Sequence, residues 1–190
     1  MTVTAYVKPS RLRPSLKRHP WVYSNSVERI EGEYENGDAV VVRGSDGRFL
    51  AHAFINDNSR FFLRLVSFER EVEISDAMIQ ERVRDAIALR HDVLRLRERS
   101  DAYRLIHSEG DGLPGLVVER YGDVIVLNCS SLGTHRRLEP ILEVLKEVFS
   151  PQAIVEQGIS EGLRAREGLP EGRGLIHGSL PEPWQVCVDG

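Results

Sequence analysis

The sequence lacks the features of membrane and secreted proteins. No run approaches the roughly 18 consecutive apolar residues of a membrane span, and the basic start, "MTVTAYVKPSRLRPSLKR", has no apolar segment typical of a secretory signal. Only two cysteines occur among 190 residues, each inside an apolar, strand-like run. We therefore expect a cytoplasmic protein in which Cys129 and Cys187 are buried free thiols rather than a disulfide.

The motifs of several enzyme classes are also missing. The chain contains no Gly-Lys-Ser/Thr phosphate loop and no Gly-x-Ser-x-Gly nucleophile elbow. Its six histidines are scattered without the spacing of metal ligands, so we expect no metal site. Cys129 lies inside a predicted strand, "VIVLNC", which is a poor environment for a reactive thiolate. The residues alone therefore indicate no active site.

Charge is present in abundance but is unevenly distributed. The net charge is −4, yet residues 1–70 hold 11 Lys/Arg against 8 Asp/Glu (+3), residues 71–100 hold 6 against 7 (−1), and residues 101–190 hold 8 against 14 (−6). Because phosphate binding depends on local clusters, the basic start is a candidate RNA-binding region, with a solvated charged surface as the alternative. The first twenty residues contain no acid and five basic side chains: Lys8, Arg11, Arg13, Lys17 and Arg18.

The first 70 residues follow a β-strand pattern. Five short runs share it: "TAYVK", "WVYSNSVERI", "DAVVVRG", "RFLAHAFI" and "RFFLRLVSF". Between the third and fourth runs, Ser45-Asp46-Gly47 indicates a hairpin, since glycine tolerates the positive φ of a tight turn. Five runs with one short insertion, "PSRLRPSLKRHP", predict a small β-barrel.

After residue 70 the apolar period changes from 2 to 3.6. Ser75 can cap a helix, and apolar residues at spacings of three and four predict one long amphipathic helix: Ile79, Val83, Ala86, Leu89, Val93 and Leu96. Strands "YRLIH", "GLVVER" and "VIVLNC", a second helix over 138–148 and a strand "AIVEQ" follow. The last strand-like run, residues 186–188, reaches the end of the chain, which suggests a cut sequence. The fold class predicted is α+β.

The stretch "EGDGLPGLVVERYGD", residues 109–123, combines glycines with acidic residues. It is no Rossmann fingerprint, because strands are predicted on both sides of it rather than a strand and then a helix. Gly112 and Gly115 instead indicate tight backbone turns. Glu109, Asp111 and Glu119 are candidate acid/base carboxylates, and Glu109 with Asp111 could serve a small hydrolase, but we expect glycine-flanked surface carboxylates to be solvated.

Three motifs carry a family resemblance: "LKRHPWVYSNSVERIEG" at 16–32, "YRLIHSEGDGLPGLVVERYGD" at 103–123 and "LRAREGLPEG" at 163–172. Together they resemble the N-terminal part of the bacterial 23S rRNA cytosine-5 methyltransferase family. The resemblance implies a PUA domain over residues 1–70, a connecting helix over 71–100 and a small α/β domain of strand-strand-helix-strand-strand order over 101–190. In the family this last domain packs on a Rossmann-like domain that binds S-adenosylmethionine.

The family's catalytic parts are not in this sequence. Members continue into a "GxKTGxxxDxR" segment, the cofactor-binding glycines and a catalytic cysteine that adds to C6 of cytosine. Neither Cys129 nor Cys187 lies in that cysteine motif. The resemblance therefore implies an RNA-binding portion that uses S-adenosylmethionine only in the full-length enzyme and is inactive alone. A stand-alone RNA-binding adaptor is the alternative.

The resemblance gives the basic insertion a role in binding 23S rRNA. Arg18 can fork onto a phosphate, and Trp21 can stack on a base or plug the barrel, of which we favour the plug. Ser24 lies near RNA or is a plain strand hydroxyl. A homodimer is one option that the sequence leaves open. The expected RNA-binding residues are Lys8, Arg11, Arg13, Lys17, Arg18, His19, Trp21 and Ser24.

Overall fold

The first part of the chain forms a six-stranded sheet in the order β2-β6-β5-β4-β1-β3. The computed structural model describes residues 2–8, 19–172, 174–183 and 185–186. Because β2 and β3 are both edges, the described strands make a half-barrel around one apolar core rather than a closed barrel. The strands are β1 (Thr4–Val7), β2 (Trp21–Val22), β3 (Val27–Glu31), β4 (Ala39–Gly44), β5 (Phe49–Ile55) and β6 (Leu63–Ser67).

The predicted hairpin between β4 and β5 is confirmed. Gly47 has φ +80°, and the Asp46 carboxylate accepts a hydrogen bond from the Arg48 amide at 3.1 Å. The positive φ favours glycine at this turn, and the side chain of Asp46 closes it. Strand β1 lies parallel to β4 and antiparallel to β3, so the earliest strand in sequence is interior to the sheet.

The predicted long helix is shorter than the apolar pattern indicated. Helix α1 spans Asp76–Ala88, and Ser75 caps it by accepting from the Met78 amide at 3.2 Å. A π-helical turn follows over Leu89–Val93, and Arg95 with φ 53° ends the helical stretch. Val93 is 71% exposed. Once the π-turn changes the period, the later apolar residues no longer face the core.

The second part forms a five-stranded sheet in the order β11-β10-β9-β8-β7. Its strands are β7 (Ala102–His107), β8 (Leu116–Tyr121), β9 (Val124–Cys129), β10 (Ala153–Glu156) and β11 (Gly174–Gly178). Helices α2 (Leu132–His135) and α3 (Leu138–Phe149) precede β10, and α4 (Glu161–Glu167) precedes β11. The α+β class is confirmed. Three strands, rather than the two of the expected strand-strand-helix-strand-strand order, precede the main helix α3. Pro140 is accommodated in the first turn of α3, where no intrahelical amide is needed.

A side chain of the half-barrel packs into the second core. Phe54 of β5 belongs to the cluster that α1, α3 and the five-stranded sheet bury. A Cβ atom added to Gly133 of α2 would lie 2.2 Å from Phe54 Cγ. Glycine at 133 therefore lets the backbone of α2 approach this ring and bring the two sheets together. None of the helices that the described residues form is long and apolar enough to span a membrane.

Candidate nucleic-acid interface

The candidate RNA-binding site lies where strand β2 pairs with strand β6. Trp21 faces Arg64 across this antiparallel ladder, and Val22 faces Leu63. Val22 and Leu63 are buried in the core of the half-barrel. Because neighbouring residues of a strand point to opposite faces, Trp21 and Arg64 lie together on the outer face.

Trp21 is part of an aromatic cluster rather than the barrel plug that we favoured. Its ring stacks on Phe61 with centroids 4.3 Å apart, and His19 meets its edge at 5.4 Å. Its indole Nε1 donates to Glu109 Oε1 at 2.8 Å. The plug interpretation is wrong because Val22, one residue further along the strand, takes the core position.

Tyr23 and Arg60 extend this cluster to the surface. The Tyr23 ring is 5.7 Å from Phe61 and 40% exposed, and the Arg60 guanidinium carbon is 5.8 Å from the Tyr23 centroid. An exposed ring beside a guanidinium can stack on a nucleobase and contact a phosphate. Neither residue is among the expected RNA-binding residues, although Tyr23 lies in the first family motif.

Lys8 and Ser24 lie beside the aromatic cluster. Ser24 begins a 3-10 turn over Ser24–Ser26 and is exposed. The Lys8 amide donates to the Ser26 carbonyl at 2.9 Å, which places this exposed side chain near the same turn. Of the other expected RNA-binding residues, four lie outside the described part of the chain: Arg11, Arg13, Lys17 and Arg18.

Arg64 joins the half-barrel to two elements of the second part. Its Nη2 lies 3.1 Å from Glu167 Oε1 in α4, and its Nη1 lies 3.6 Å from Glu109 Oε1. Nη2 also donates to the Ser130 carbonyl at 3.2 Å. Two carboxylates therefore neutralise this buried guanidinium, which leaves phosphate binding to the exposed cations nearby.

Glu167 in turn ties α4 to the loop after β5. Its carboxylate accepts from Ser59 Oγ at 2.5 Å, and its backbone carbonyl accepts from Asn56 Nδ2 at 2.9 Å. Glu167 is 4% exposed. These bonds satisfy the buried carboxylate and fix α4 against the half-barrel.

Glu109 lies in a 3-10 turn, Ser108–Asp111, between β7 and β8. Burial alone would raise the pKa of the Glu109 carboxyl, but hydrogen bonds from Ser108 and Trp21, together with the Arg64 charge, hold it below its ordinary value. Gly112 and Gly115 have φ +68° and +76°, as the turn interpretation predicts.

Asp111 is also buried. Its carboxylate pairs with Arg90 at 2.7 Å, with side chains 8% and 12% exposed, and accepts from the His107 amide at 2.6 Å. The expectation of solvated carboxylates is thus wrong for both Glu109 and Asp111. Both are committed to structural bonds, so the hydrolase interpretation loses its acid and base.

The geometry of the described residues supports neither Cys129 as a nucleophile nor a metal site. Cys129 is a buried free thiol, and burial raises its pKa to about 12, so the thiolate is inaccessible at neutral pH. Cys187 lies outside the described residues. Within the described ranges, no group of three or more His, Cys, Asp or Glu side chains is placed to hold a metal ion.

The three family motifs converge on one point of the fold. Trp21 comes from the first, Glu109 from the second and Glu167 from the third, and all three surround Arg64. Residues 88 and 103 positions apart in the chain thereby meet in one cluster. Arg64 itself lies in none of the three motifs, so local sequence patterns could not reveal it.

Residues 5–68 match the family model of a PUA-like domain. Over 189 residues the chain is 36% identical to each of two relatives named ribosomal RNA large subunit methyltransferase I, from Vibrio vulnificus (strain CMCP6) and Vibrio parahaemolyticus. Each alignment covers 100% of this chain and 47% of the relative, so the chain spans about half the length of the curated relatives it matches. The predicted resemblance to rRNA methyltransferases is confirmed.

Two solved structures share the fold. One is SMU.776, described as a methyltransferase and complexed with SAH, with a TM-score of 0.74 and 14% identity over 98% of this chain and 46% of that one. The other is described as a SAM-dependent methyltransferase from Streptococcus mutans, with a TM-score of 0.70 and 14% identity over 95% of this chain and 44% of that one. Both likenesses concern the fold alone.

Proposed function

We propose that this chain is the RNA-binding portion of an S-adenosylmethionine-dependent rRNA (cytosine-5) methyltransferase that acts on 23S rRNA in the cytoplasm. The PUA-like domain and the similarity to ribosomal RNA large subunit methyltransferase I support an RNA substrate. The proposed division of the chain is a PUA-like part over 1–70 that contains the half-barrel, a connecting segment over 71–100 that contains α1, and an α/β domain over 101–190.

The exposed aromatic surface carries the RNA part of the proposal. The Tyr23 ring is exposed, Phe61 packs against it and Trp21 stacks on Phe61. Arg60 supplies positive charge beside the Tyr23 ring, and Lys8 lies near the turn that follows Tyr23. An unpaired base stacks on such a ring while the cations contact its phosphates. The basic insertion next to it in sequence adds Arg11, Arg13, Lys17 and Arg18 to the same binding region.

Methyl transfer belongs to the part of the relatives that this chain does not span. Among the described residues no strand leads through a glycine-rich turn into a helix of the kind that holds the cofactor. Cys129 is buried with a raised pKa and is no candidate for the attacking thiolate. The chain alone is therefore expected to bind RNA without binding S-adenosylmethionine or methylating.

RNA binding of single variants tests this function. Tyr23→Ala should weaken the binding of 23S rRNA fragments, measured by fluorescence anisotropy, by about five- to 150-fold, since one stacked base contributes roughly 1–3 kcal/mol. Arg60→Ala should also weaken binding, because a cation beside the ring is lost. The control is a second Tyr–Arg pair on β1 and β3, where the Arg29 guanidinium lies 3.6 Å from the Tyr6 centroid. Tyr6→Ala and Arg29→Ala should leave affinity unchanged. Equal losses at both pairs would contradict the assignment of the site.

A further inference from the structure

The aromatic surface of the half-barrel is held by a residue of the second sheet. Glu109 Oε1 accepts from the Trp21 indole at 2.8 Å, the one hydrogen bond that the described residues give this indole N–H. The carboxylate is itself fixed, because Ser108 Oγ donates to its other oxygen and Arg64 lies 3.6 Å away. A fixed acceptor restricts the rotation of the ring that it binds.

The loop that presents Glu109 is rigid. Ser108 adopts φ +49°, and its Oγ accepts from the Gly115 amide at 2.8 Å. Leu113, within the same loop, is fully buried in the second core. The position of Glu109 is therefore set by the packing of the second part of the chain.

A continuous line of contacts leads from this loop to the surface. Glu109 binds Trp21, Trp21 stacks on Phe61, and Phe61 contacts Tyr23, whose ring is exposed. A displaced Trp21 would let Phe61 tilt and would change the angle that Tyr23 presents to a base. We propose that Glu109 is a positioning residue for RNA binding, which holds Trp21 and through it the stacking face of Tyr23. This inference rests on the proposed function.

Two substitutions at Glu109 separate the hydrogen bond from the charge. Glu109→Gln keeps a carbonyl oxygen for the Trp21 indole but loses the charge next to Arg64, whereas Glu109→Ala loses both. Because the contact to Trp21 is short and that to Arg64 is long, RNA affinity should fall about fivefold in Glu109→Ala and less than twofold in Glu109→Gln. Glu139→Gln, which removes a charge from an exposed side chain of α3, is the control.

The indole N–H resonance of Trp21 provides a readout that does not depend on RNA. The resonance is assigned by its disappearance in Trp21→Phe. It should move upfield in Glu109→Ala, because the hydrogen bond is lost, and keep most of its shift in Glu109→Gln. Thermal melting by circular dichroism establishes that each variant is folded. If Glu109→Ala does not fold, Glu109→Gln and Trp21→Phe keep the test decisive.

A double-variant cycle tests whether Glu109 acts through Trp21. In a Trp21→Phe background, Glu109→Ala should cause no further loss of RNA affinity. An equal loss in both backgrounds, or full RNA binding by Glu109→Ala with a displaced indole resonance, would overturn the positioning role alone. A wild-type chain that binds no RNA while its indole resonance responds to Glu109 would overturn the proposed function and leave Glu109 a purely structural partner of Trp21.

Discussion

Arg64 and Glu167 form a buried ion pair between the half-barrel and helix α4, with 3.1 Å between Nη2 and Oε1 and side chains 8% and 5% exposed. Both side chains are largely removed from water, so each charge is stabilised mainly by its partner and by its other hydrogen bonds. The pair joins residues 103 positions apart in the chain and connects the half-barrel to helix α4.

Arg64→Ala should destabilise the chain by about 3–5 kcal/mol, because it leaves the Glu167 carboxylate buried with a lost counter-charge. The free energy of unfolding is measured by urea titration with circular dichroism. Arg84→Ala is the matched control, since Arg84 pairs with Glu147 at 2.7 Å with side chains 45% and 63% exposed. That variant should lose less than about 1 kcal/mol. Similar losses of unfolding free energy in the two variants would show that the buried Arg64–Glu167 pair stabilises the fold no more than an exposed pair does.

Gly115→Ala should destabilise the chain more than Gly47→Ala. Both glycines have a positive φ, +76° and +80°, so both variants bear a backbone strain of roughly 1 kcal/mol. A Cβ at 115 would also lie 2.7 Å from Ser131 Cβ, whereas a Cβ at 47 meets nothing within 4 Å. Melting temperatures of the two variants measure the difference, and a smaller effect at 115 would show that the loop moves freely.

Asp111→Asn should cost about 2 kcal/mol of stability, contrary to the expectation of a solvated carboxylate. The amide still accepts from the His107 backbone, but Arg90 loses the charge that it contacts at 2.7 Å. Asp46→Asn is the control, because Asp46 is exposed and likewise accepts from a backbone amide. Urea titration compares the two. Equal and small effects would mean that the Arg90 pair does not stabilise the fold.

The acid sensitivity of the fold should depend on Glu109. Its pKa is held below the ordinary value of 4.5, so the stability that it contributes is present above pH 4.5 and is lost as pH falls through the lower, folded-state value. Urea titrations of wild type and Glu109→Gln should differ most near neutral pH and converge as pH falls through the lowered pKa of Glu109. Glu139→Gln controls for net charge. A difference that stays constant with pH would contradict the shifted pKa.

Replacing Lys17 and Arg18 together by alanine should weaken rRNA binding and flatten the slope of log affinity against log salt by about one to two. The physical reason is that each lost phosphate contact releases one counterion fewer. Arg136→Ala with Lys146→Ala is the control pair, because both side chains lie in the acidic half of the chain and are partly exposed. Filter binding at two salt concentrations measures the effect, and an unchanged slope in Lys17→Ala/Arg18→Ala would move the RNA site elsewhere.

Much of the fold could be predicted from local patterns. The alternation of β4 and β5, the Gly47 turn and the Ser75 cap are each specified within a few residues, and all lie where the sequence placed them. The end of α1 could not be predicted, since Val93 continues the apolar spacing but lies at the end of a π-turn and is exposed.

The candidate site could not be predicted from the sequence, because it is formed by contacts between residues far apart in the chain. Trp21 meets Glu109 only because β2 pairs with β6 and a loop of the second sheet reaches the same face. Glycine neighbours indicated that Glu109 and Asp111 are solvated, whereas the two carboxylates pair with Arg64 and Arg90. Sequence patterns identify turns and the alternation of apolar and polar residues in strands. They do not show which turns will pack against another part of the chain.

The interior position of β1 has a consequence for synthesis of the chain on the ribosome. This strand, Thr4–Val7, emerges first, yet its two neighbours end at Glu31 and Gly44. One edge of β1 can therefore be fully paired only once Glu31 has been translated, and the other only once Gly44 has been translated. The half-barrel therefore cannot assemble strand by strand in the order in which it is made, and we expect β1 to be paired on both sides only after β3 and β4 have been synthesised.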